Sequence, residues 1–482
     1  MSNENSLNNR VKTATKWSAV TEILSKLVSP LTNMVLARLL TPEAFGIVAT
    51  LTMVISFAEI FTDAGFQKYI IQHKFDNEKD IEDSTNVAFW SNFIMSLIIW
   101  GGIALYCNPL AALVGNPGLG FVLVIACVSI PICAFSSIQM ARYKRDLDFK
   151  TLFQVRVAGI LVPLFVTIPL AFYMRNFWAL VIGTITSNCI NALLLTCFSQ
   201  WKPKFYFSKI KFKKMFSFSM WSMFEQVSIW LTNYVDAFIV GTMLSQYYLG
   251  IYRTSVSVVG QIVSLITAVT TPVLFSSLSK LQDDHEEFLR LFFKFQKIVG
   301  LLVIPLGVGI FIFRNMITDI LLGNQWGEAS YFIGLWGLTS SITIVLSHYS
   351  SEVYRAKGTP KLSLLAQILH VVVLCPAVLI AINYGFDMLC TVRALVRLEA
   401  ILVNLIIMYL LMKMPVMKMF SNIFPSCIAS CAMLLVLLLP ESSSLFQNVF
   451  YVVLDILLYV VVIMFFPRDR TILLNLRTVI KR

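Results

Sequence analysis

Residues 118–137 read GLGFVLVIACVSIPICAFSS and contain no charged side chain. At a helical rise of about 1.5 Å per residue, a segment of this length spans roughly 30 Å, which is the thickness of the hydrocarbon layer of a bilayer. The segment is followed by ARYKRDLDFK at 141–150, which is strongly basic. A long apolar segment that ends at a short basic one predicts a transmembrane helix with its basic end in the cytoplasm.

The rest of the chain repeats this pattern. Of its 482 residues 57% are hydrophobic and 13% charged, with a mean hydropathy of +0.77, so it has more apolar surface than one soluble core could bury. The sequence predicts an all-α polytopic membrane protein of about fourteen transmembrane helices, without a cleaved signal peptide because the first apolar stretch is already a full span. The predicted spans are 17–40, 45–65, 87–107, 118–137, 152–173, 177–198, 215–242, 249–278, 298–313, 330–350, 362–383, 388–411, 420–439 and 450–466.

The basic residues predict the orientation of these spans. The net charge of +12 is distributed in small groups between apolar stretches, which indicates membrane orientation and argues against binding of nucleic acid. Most of the 38 Lys and Arg residues fall in alternate connections, so both termini are predicted to be cytoplasmic. The basic groups lie at 10–16, 68–79, 142–150, 202–214, 280–297, 355–361, 413–418 and 468–482.

A weak internal repeat relates the two halves of the chain. An offset of about 204 residues aligns Trp17 with Trp221 and Gly46 with Gly250. Six spans separate the aligned segments, so the repeats run in the same direction and predict two six-helix lobes about a pseudo-twofold axis normal to the membrane. The predicted domains are an N-lobe at 1–200, a basic cytoplasmic linker at 201–214, a C-lobe at 215–412, and two further helices with a basic tail at 413–482.

Predicted helix one has polar residues on one face. Charged groups inside a span cost several kcal/mol unless they face water or a partner, so such a face predicts a wet cavity. The alternative is that Glu22 and Lys26 form a pair at i and i+4 against a neighbouring helix. The polar face consists of Ser18, Glu22, Ser25, Lys26, Ser29 and Asn33.

Predicted helix seven carries a matching polar face. Since helices one and seven occupy equivalent positions in the repeat, their polar faces predict a cleft between two lobes. The residues of this second face are Glu225, Gln226, Ser228, Thr232, Asn233 and Asp236.

Several arginines are candidates for binding an anion. Arg393 and Arg397 share one face of predicted helix twelve, and a guanidinium group suits a diphosphate because it donates two hydrogen bonds and keeps its charge. The alternative for Arg397 is pairing with Glu399 or with another helix. Arg156 and Arg253 lie nearer span ends, where they either line a cavity or reach the headgroups.

The remaining ionisable residues give weaker indications. Glu59 and Asp63 lie one turn apart near Lys68, which fits either a local ion pair or a cytoplasmic gate. His348 and His370 have no carboxylate near them in sequence and are interpreted as packed or near-interface residues. The acidic run at 283–287 is interpreted as a solvated connection.

The sequence argues against catalysis and against a bound metal. It contains no P-loop, no GxSxG elbow and no HExxH motif, and its nine cysteines do not have the paired spacing of a zinc site. The longest predicted outer connection, 314–329, is short for the catalytic loop of a membrane enzyme. We therefore expect a non-enzyme without a cofactor.

Four segments resemble the polysaccharide-transport flippases of the MOP superfamily. These segments are LARLLTPEAFGIV at 36–48, FTDAGFQKYIIQ at 61–72, VDAFIVGTMLSQYYLGIYR at 235–253 and LLGNQW at 321–326. The resemblance covers most of the chain. In the last two helices it is limited to the type of element, an apolar span.

The resemblance implies a multi-pass protein of the bacterial inner membrane with a central cavity that opens alternately to each side. Its cargo would be an undecaprenyl-diphosphate-linked oligosaccharide, moved from the cytoplasmic to the outer leaflet by a proton or sodium gradient. Membrane lipids and the polysaccharide polymerase machinery would be its partners. Combined with the polar faces, this implies a cargo site of Lys26, Asn33, Arg156, Asn233, Arg253, Arg393 and Arg397, and ion-coupling candidates Glu22, Asp63, Glu225 and Asp236.

Three alternatives stay open. A lipid II flippase of the same superfamily agrees with the charges equally well. A multidrug exporter would have a cavity rich in acids and aromatic residues, whereas the basic residues within these spans favour an anion. A membrane enzyme of saccharide assembly would need a catalytic constellation at one membrane surface.

Overall fold

The computed structural model describes residues 2–63, 65–359, 361–440 and 444–472. The side chains of residues 2–12 and of Asp63, Trp221, Ser222, Glu225 and Leu445 lie outside the described set. Every regular element in these ranges is a helix. The contacts group the chain into two compact units, 1–250 and 251–482.

The described residues of the first unit form eleven α-helices. One of them is continued by a π-helical turn at Pro163–Thr167, and the basic linker leads into α11. The helices are α1 (Ser2–Leu39), α2 (Pro42–Asp63), α3 (Phe66–Gln72), α4 (Glu78–Leu105), α5 (Cys107–Leu113), α6 (Gly120–Cys127), α7 (Ser129–Arg145), α8 (Phe149–Val162), α9 (Ile168–Met174), α10 (Trp178–Phe198) and α11 (Lys209–Met243).

The described residues of the second unit form nine more helices, of which α12 begins in the last residues of the first unit. Short 3-10 turns lie at Asn324–Trp326, Ile382–Tyr384 and Leu434–Leu438, and a π-helical turn lies at Ile344–His348. The helices are α12 (Gln246–Lys280), α13 (His285–Ile312), α14 (Arg314–Leu321), α15 (Ala329–Thr343), α16 (Ser350–Ala356), α17 (Lys361–Ala381), α18 (Phe386–Leu410), α19 (Met417–Met433) and α20 (Leu445–Met464).

The prediction of an all-α, multi-span membrane protein is confirmed. In the described part of the chain, eleven helical segments are long and apolar enough to cross a membrane. Three other long helices, α1, α11 and α18, correspond to the remaining predicted spans. These three helices carry the polar faces that the sequence analysis named as candidate sites. The same polar residues lower the mean hydropathy of these helices.

Large apolar side chains cover the outside of the helices. Phe165 is 74% exposed, Val372 62% and Leu402 61%, and many similar residues accompany them. Such a continuous apolar surface would be unstable in water, and lipid tails satisfy it. Aromatic residues such as Phe288 and Phe292 are buried instead, in a core that joins α13 to the π-helical turn and to α18.

The acidic run at 283–287 caps a helix. Oδ1 of Asp284 accepts a hydrogen bond from the backbone N–H of Glu287 at 3.1 Å, at the N-terminus of α13. Glu286 and Glu287 lie in the first helical turn, where negative charge is favoured by the helix dipole. The acidic run therefore has a local role at the start of α13.

The helix boundaries confirm the internal repeat. α1 ends at Leu39 and α11 at Met243, while α2 begins at Pro42 and α12 at Gln246. Both pairs of boundaries are 204 residues apart, which is the offset found in the sequence. Equivalent turns therefore separate equivalent helices.

The repeat-related glycines touch each other. A Cβ atom on Gly46 would lie 1.9 Å from the carbonyl oxygen of Gln246, and a Cβ on Gly250 would lie 1.9 Å from the carbonyl oxygen of Pro42. Pro42 and Gln246 are themselves repeat-related, so the contact is reciprocal. Only glycine permits this close crossing of two helix N-termini. We name these four residues the glycine crossing.

The described contacts place α11 in the first unit, where it packs against α2, α3 and α4. The predicted lobe boundary at residue 215 rests on the repeat and stays a prediction. The basic linker is fastened to the same unit, because the indole Nε1 of Trp90 donates to the Lys204 carbonyl at 2.9 Å and the backbone N–H of Lys204 donates to Asn86 at 2.8 Å.

Candidate functional site

A polar cavity of about 330 Å³ lies in the first unit among α1, α8 and α10. Ser25, Ser29 and Asn33 lie four residues apart along α1, so all three point to the same side of that helix. Their side chains supply hydroxyl and amide groups to the cavity. The other polar residues lining it are Thr32, Arg156, Thr167, Thr184, Ser187, Asn188 and Asn191.

A second polar cavity, of about 450 Å³, adjoins the first. Both cavities are lined by Arg156, Asn188 and Asn191, so these three residues lie where the two spaces meet. The second cavity also reaches Glu59 and Lys68. Its further polar lining residues are Ser56, Thr62, Gln67, Asn92, Ser136, Ser137 and Gln226.

Close helix packing positions the amide groups of the cavity. A Cβ on Gly159 of α8 would lie 2.7 Å from Oδ1 of Asn191 on α10. The Ser187 hydroxyl donates to the Gly159 carbonyl at 3.3 Å, which joins the same two helices. Oδ1 of Asn191 is buried and accepts no hydrogen bond within the described part of the chain. A buried amide oxygen without a partner is costly, so the polar network at this position is incomplete.

The cavity chemistry suits a neutral polyol with one anionic group. Hydroxyl and amide side chains both donate and accept hydrogen bonds, as sugar hydroxyls require. Arg156 is exposed toward this space and supplies a fixed positive charge. Water fills such a polar space readily, which lets these groups lie inside an otherwise apolar helical unit.

The second unit holds two further arginines around one tryptophan. The guanidinium carbon of Arg393 lies 4.9 Å from the Trp336 ring centroid, and that of Arg397 lies 4.0 Å from it. Nε of Arg393 also donates to Tyr252 at 3.2 Å, and Nη1 of Arg397 donates to Ser340 at 2.5 Å. The indole face offsets part of the cost of placing two positive charges so close together. We name Arg393, Arg397 and Trp336 the arginine–tryptophan cluster.

The other predicted site residues are more dispersed. Glu22 is exposed and Lys26 half-buried on α1, and neither belongs to the lining of the two cavities. On α11, Asn233 is exposed and Asp236 is buried, with Oδ1 of Asp236 accepting from the backbone N–H of Ala237 at 2.7 Å. Arg253 is half-buried in the second unit.

Two ion-coupling candidates, Asp63 and Glu225, have side chains outside the described residues. Among the other candidates, the structure brings Asn33 together with Arg156, and Arg393 together with Arg397. The roles of all of them stay predictions.

Sequence reasoning missed several polar residues. Asn188 and Asn191 are three residues apart in an apolar span, so the rule that found the helix-one face would have found them. Trp336 gives no such signal, because a tryptophan in a span is normally a packing or interfacial residue. His370 was interpreted as a packed residue, yet its Nδ1 lies 2.9 Å from Oε2 of Glu399 on the neighbouring helix.

Comparison with known proteins agrees with this architecture. A model of the polysaccharide biosynthesis protein family matches residues 35–331, more than half of the chain. The chain is 20% identical over 325 residues to the lipopolysaccharide biosynthesis protein WzxC of Escherichia coli K12, covering 67% of this chain and 65% of WzxC. It is 22% identical over 334 residues to the succinoglycan biosynthesis transport protein ExoT of Rhizobium meliloti, covering 69% of this chain and 67% of ExoT. The chain thus spans about two thirds of the length of these relatives.

Solved structures share the fold. The lipid II flippase MurJ in an inward closed conformation superposes with a TM-score of 0.74 at 14% identity, covering 94% of this chain and 99% of MurJ. An inward-facing multidrug-resistance transporter of the MATE family and MOP superfamily gives 0.58 at 14% identity, covering 85% and 99%. The match over residues 35–331 shows that the chain belongs to the polysaccharide biosynthesis protein family.

Proposed function

We propose that this protein is a flippase for lipid-linked oligosaccharides, moving a saccharide attached to a membrane lipid through a diphosphate from the cytoplasmic to the outer leaflet. The observation that carries the proposal is the pair of polar cavities that meet at Arg156, inside a unit whose outer surface is apolar. Membership of the polysaccharide biosynthesis family and the relatives named for polysaccharide biosynthesis and transport support it.

The two kinds of polar site match the two polar parts of such a cargo. Sugar hydroxyls would exchange hydrogen bonds with Ser29, Asn33 and Asn191, and the diphosphate would bind Arg156. Within the second unit, the arginine–tryptophan cluster supplies two further guanidinium groups. The lipid tail needs no binding pocket because it can stay in the bilayer.

The reaction we propose is movement without covalent change, driven by a proton or sodium gradient. The protein would reside in the inner membrane with both termini in the cytoplasm, because the positive-inside rule places the basic connections on that side. The polysaccharide polymerase machinery would receive the cargo at the outer leaflet.

Reconstitution tests the proposal directly. Purified protein in vesicles would receive a fluorescent undecaprenyl-diphosphate oligosaccharide in the inner leaflet, and its arrival outside would be followed with a membrane-impermeant lectin. We expect protein-dependent translocation with the cargo mass unchanged. Faster movement of lipid II than of any oligosaccharide would support the alternative cargo, and a product of altered mass would overturn the flippase proposal.

A further inference from the structure

An ionisable pair joins two helices of the second unit. Nδ1 of His370 on α17 lies 2.9 Å from Oε2 of Glu399 on α18. The side chain of His370 is 11% exposed and that of Glu399 is 23% exposed. Neither residue was among the ion-coupling candidates of the sequence, because the two positions are distant along the chain.

The pair lies deep within its helices. His370 is near the middle of α17 (Lys361–Ala381), and Glu399 is near the middle of α18 (Phe386–Leu410). With a rise of about 1.5 Å per residue, each residue is roughly 20 Å from the short turn at 382–385 that joins the helices. This depth corresponds to the middle of a bilayer, where ionisable residues are costly and normally functional.

The surroundings of the pair are electropositive. Arg393 and Arg397 on α18 act electrostatically on His370 together with Glu399. Of the other elements packed against α17 and α18, α15 carries Tyr331 as its titratable residue, and the π-helical turn carries His348. α16 carries Tyr354 and the pair of Glu352 with Arg355, whose side chains lie 3.2 Å apart, and the 3-10 turn at Ile382–Tyr384 carries Tyr384. Glu399 is therefore the carboxylate that stabilises a charged imidazole at this place.

We propose that His370 and Glu399 form the site at which this transporter binds and releases a proton, and that this exchange is the ion-coupling step of the flippase function proposed above. With Glu399 ionised, Nδ1 of His370 donates to Oε2 and Nε2 carries the lone pair. A proton from water binds Nε2, and the charge of the pair changes from minus one to zero. Loss of the same proton to water restores the first state.

This exchange alters the electrostatics of the arginine–tryptophan cluster. Glu399 follows Arg397 by two residues on α18, so it faces α17 while Arg397 contacts Trp336 on α15. Glu399 and Arg397 are therefore close neighbours on one helix. In a medium of low dielectric constant, a change of one unit of charge at the pair acts strongly on the charge of Arg397. Proton occupancy thereby changes both the α17–α18 contact and the potential at the cluster.

Coupled transport measurements test the site. Proteoliposomes would contain the fluorescent cargo and an internal pH-sensitive dye, and translocation would be compared with and without an imposed proton gradient. The variants are His370→Gln and Glu399→Gln. His348→Gln is the matched control, since His348 is an exposed histidine of the same unit whose Nε2 lies 3.4 Å from Thr271.

We expect His370→Gln and Glu399→Gln to reduce both the gradient-dependent stimulation and the cargo-linked proton flux by at least about tenfold. A tenfold reduction corresponds to about 1.4 kcal/mol of coupling free energy. Gradient-independent equilibration of the cargo and the His348→Gln control should stay within about twofold of the unmodified protein. Unchanged stimulation in both variants, or stimulation by sodium alone, overturns the proton site. Failure of the unmodified protein to move any cargo would instead refute the flippase function.

A spectroscopic measurement on the unmodified protein tests the proposal even when the variants fail to fold. The chain has four histidines, so nitrogen-15-labelled imidazoles give few signals, which single His→Gln variants assign. We expect the His370 signal to change protonation state between about pH 5 and 8. A signal that keeps one protonation state over that range overturns the proposal.

Discussion

At the scale of single residues, Arg156 is the charged side chain that the two cavities of the candidate site share. It lines both polar cavities of the first unit, next to Asn188 and Asn191. A charged hydrogen bond contributes about 1.5–3 kcal/mol, so removing it has a large effect on the binding of an anionic cargo.

Arg156→Ala should reduce translocation of the lipid-linked oligosaccharide by about 10-fold to 100-fold, because the diphosphate loses its charged partner. Arg156→Lys should retain part of the activity, since it keeps the charge without the planar geometry. Initial rates in proteoliposomes measure the effect. Arg290→Ala is the matched control, because Arg290 is 74% exposed and pairs with Glu287 outside the cavities. Equal rates for Arg156→Ala and the control would remove Arg156 from the cargo site.

Trp336 is the residue that lets two arginines approach each other. Trp336→Ala should destabilise the protein by about 3–5 kcal/mol, because it leaves a large void and removes both aromatic contacts. Trp336→Phe should lose less, since it keeps an aromatic face. Thermal unfolding in detergent measures the difference. An equal loss for both variants would contradict this account, because Phe keeps both an aromatic face and most of the volume.

These residues also show how far sequence reasoning reaches. Ser25, Ser29 and Asn33 were predictable because a helix repeats every 3.6 residues, and the period is visible along one segment. The contacts of Trp336 with the arginines depend on which helices become neighbours. Periodicity within one helix carries no information about that choice.

At the scale of helices, hydropathy predicted most span positions, and the repeat predicted the relation between their ends. Hydropathy did not indicate that α1 extends from Leu39 back to Ser2, because its first turns are polar. The π-helical turns at Pro163–Thr167 and Ile344–His348 were also missed, since a wider helical turn has no simple sequence pattern.

The glycine crossing gives a stability prediction. Gly46→Ala and Gly250→Ala should each destabilise the protein by about 1–3 kcal/mol, because the added methyl group would overlap a backbone carbonyl that cannot rotate away. Gly101→Ala in α4 is the control, since no atom lies within 4 Å of its added Cβ. Thermal unfolding of the three variants measures the effect. Loss of stability in Gly101→Ala alone would contradict the packing at the crossing.

At the scale of the whole molecule, the distribution of Lys and Arg predicts which ends of the helices face the cytoplasm. Phe205 in the basic linker is 90% exposed, and Tyr384 in the turn after α17 is 74% exposed. The positive-inside rule assigns these two positions to opposite membrane surfaces.

In a variant without the nine native cysteines, Phe205→Cys should react with an impermeant maleimide only after cell lysis, whereas Tyr384→Cys should react in intact spheroplasts. Gel mobility shift after labelling with a polymer-linked maleimide measures both. Labelling of both positions from the same side would refute the assigned topology, and the reversed pattern would place the termini outside.

The glycine crossing has an implication for the origin of the molecule. The reciprocal contact of Gly46 with Gln246 and of Gly250 with Pro42 has the isologous form found where two identical subunits meet across a dyad. Two copies of an ancestral half-length chain would have made this contact as a parallel homodimer, each contributing the same glycine. A fusion of two such copies would keep the dyad, so substitutions at the two glycines should cost about the same stability.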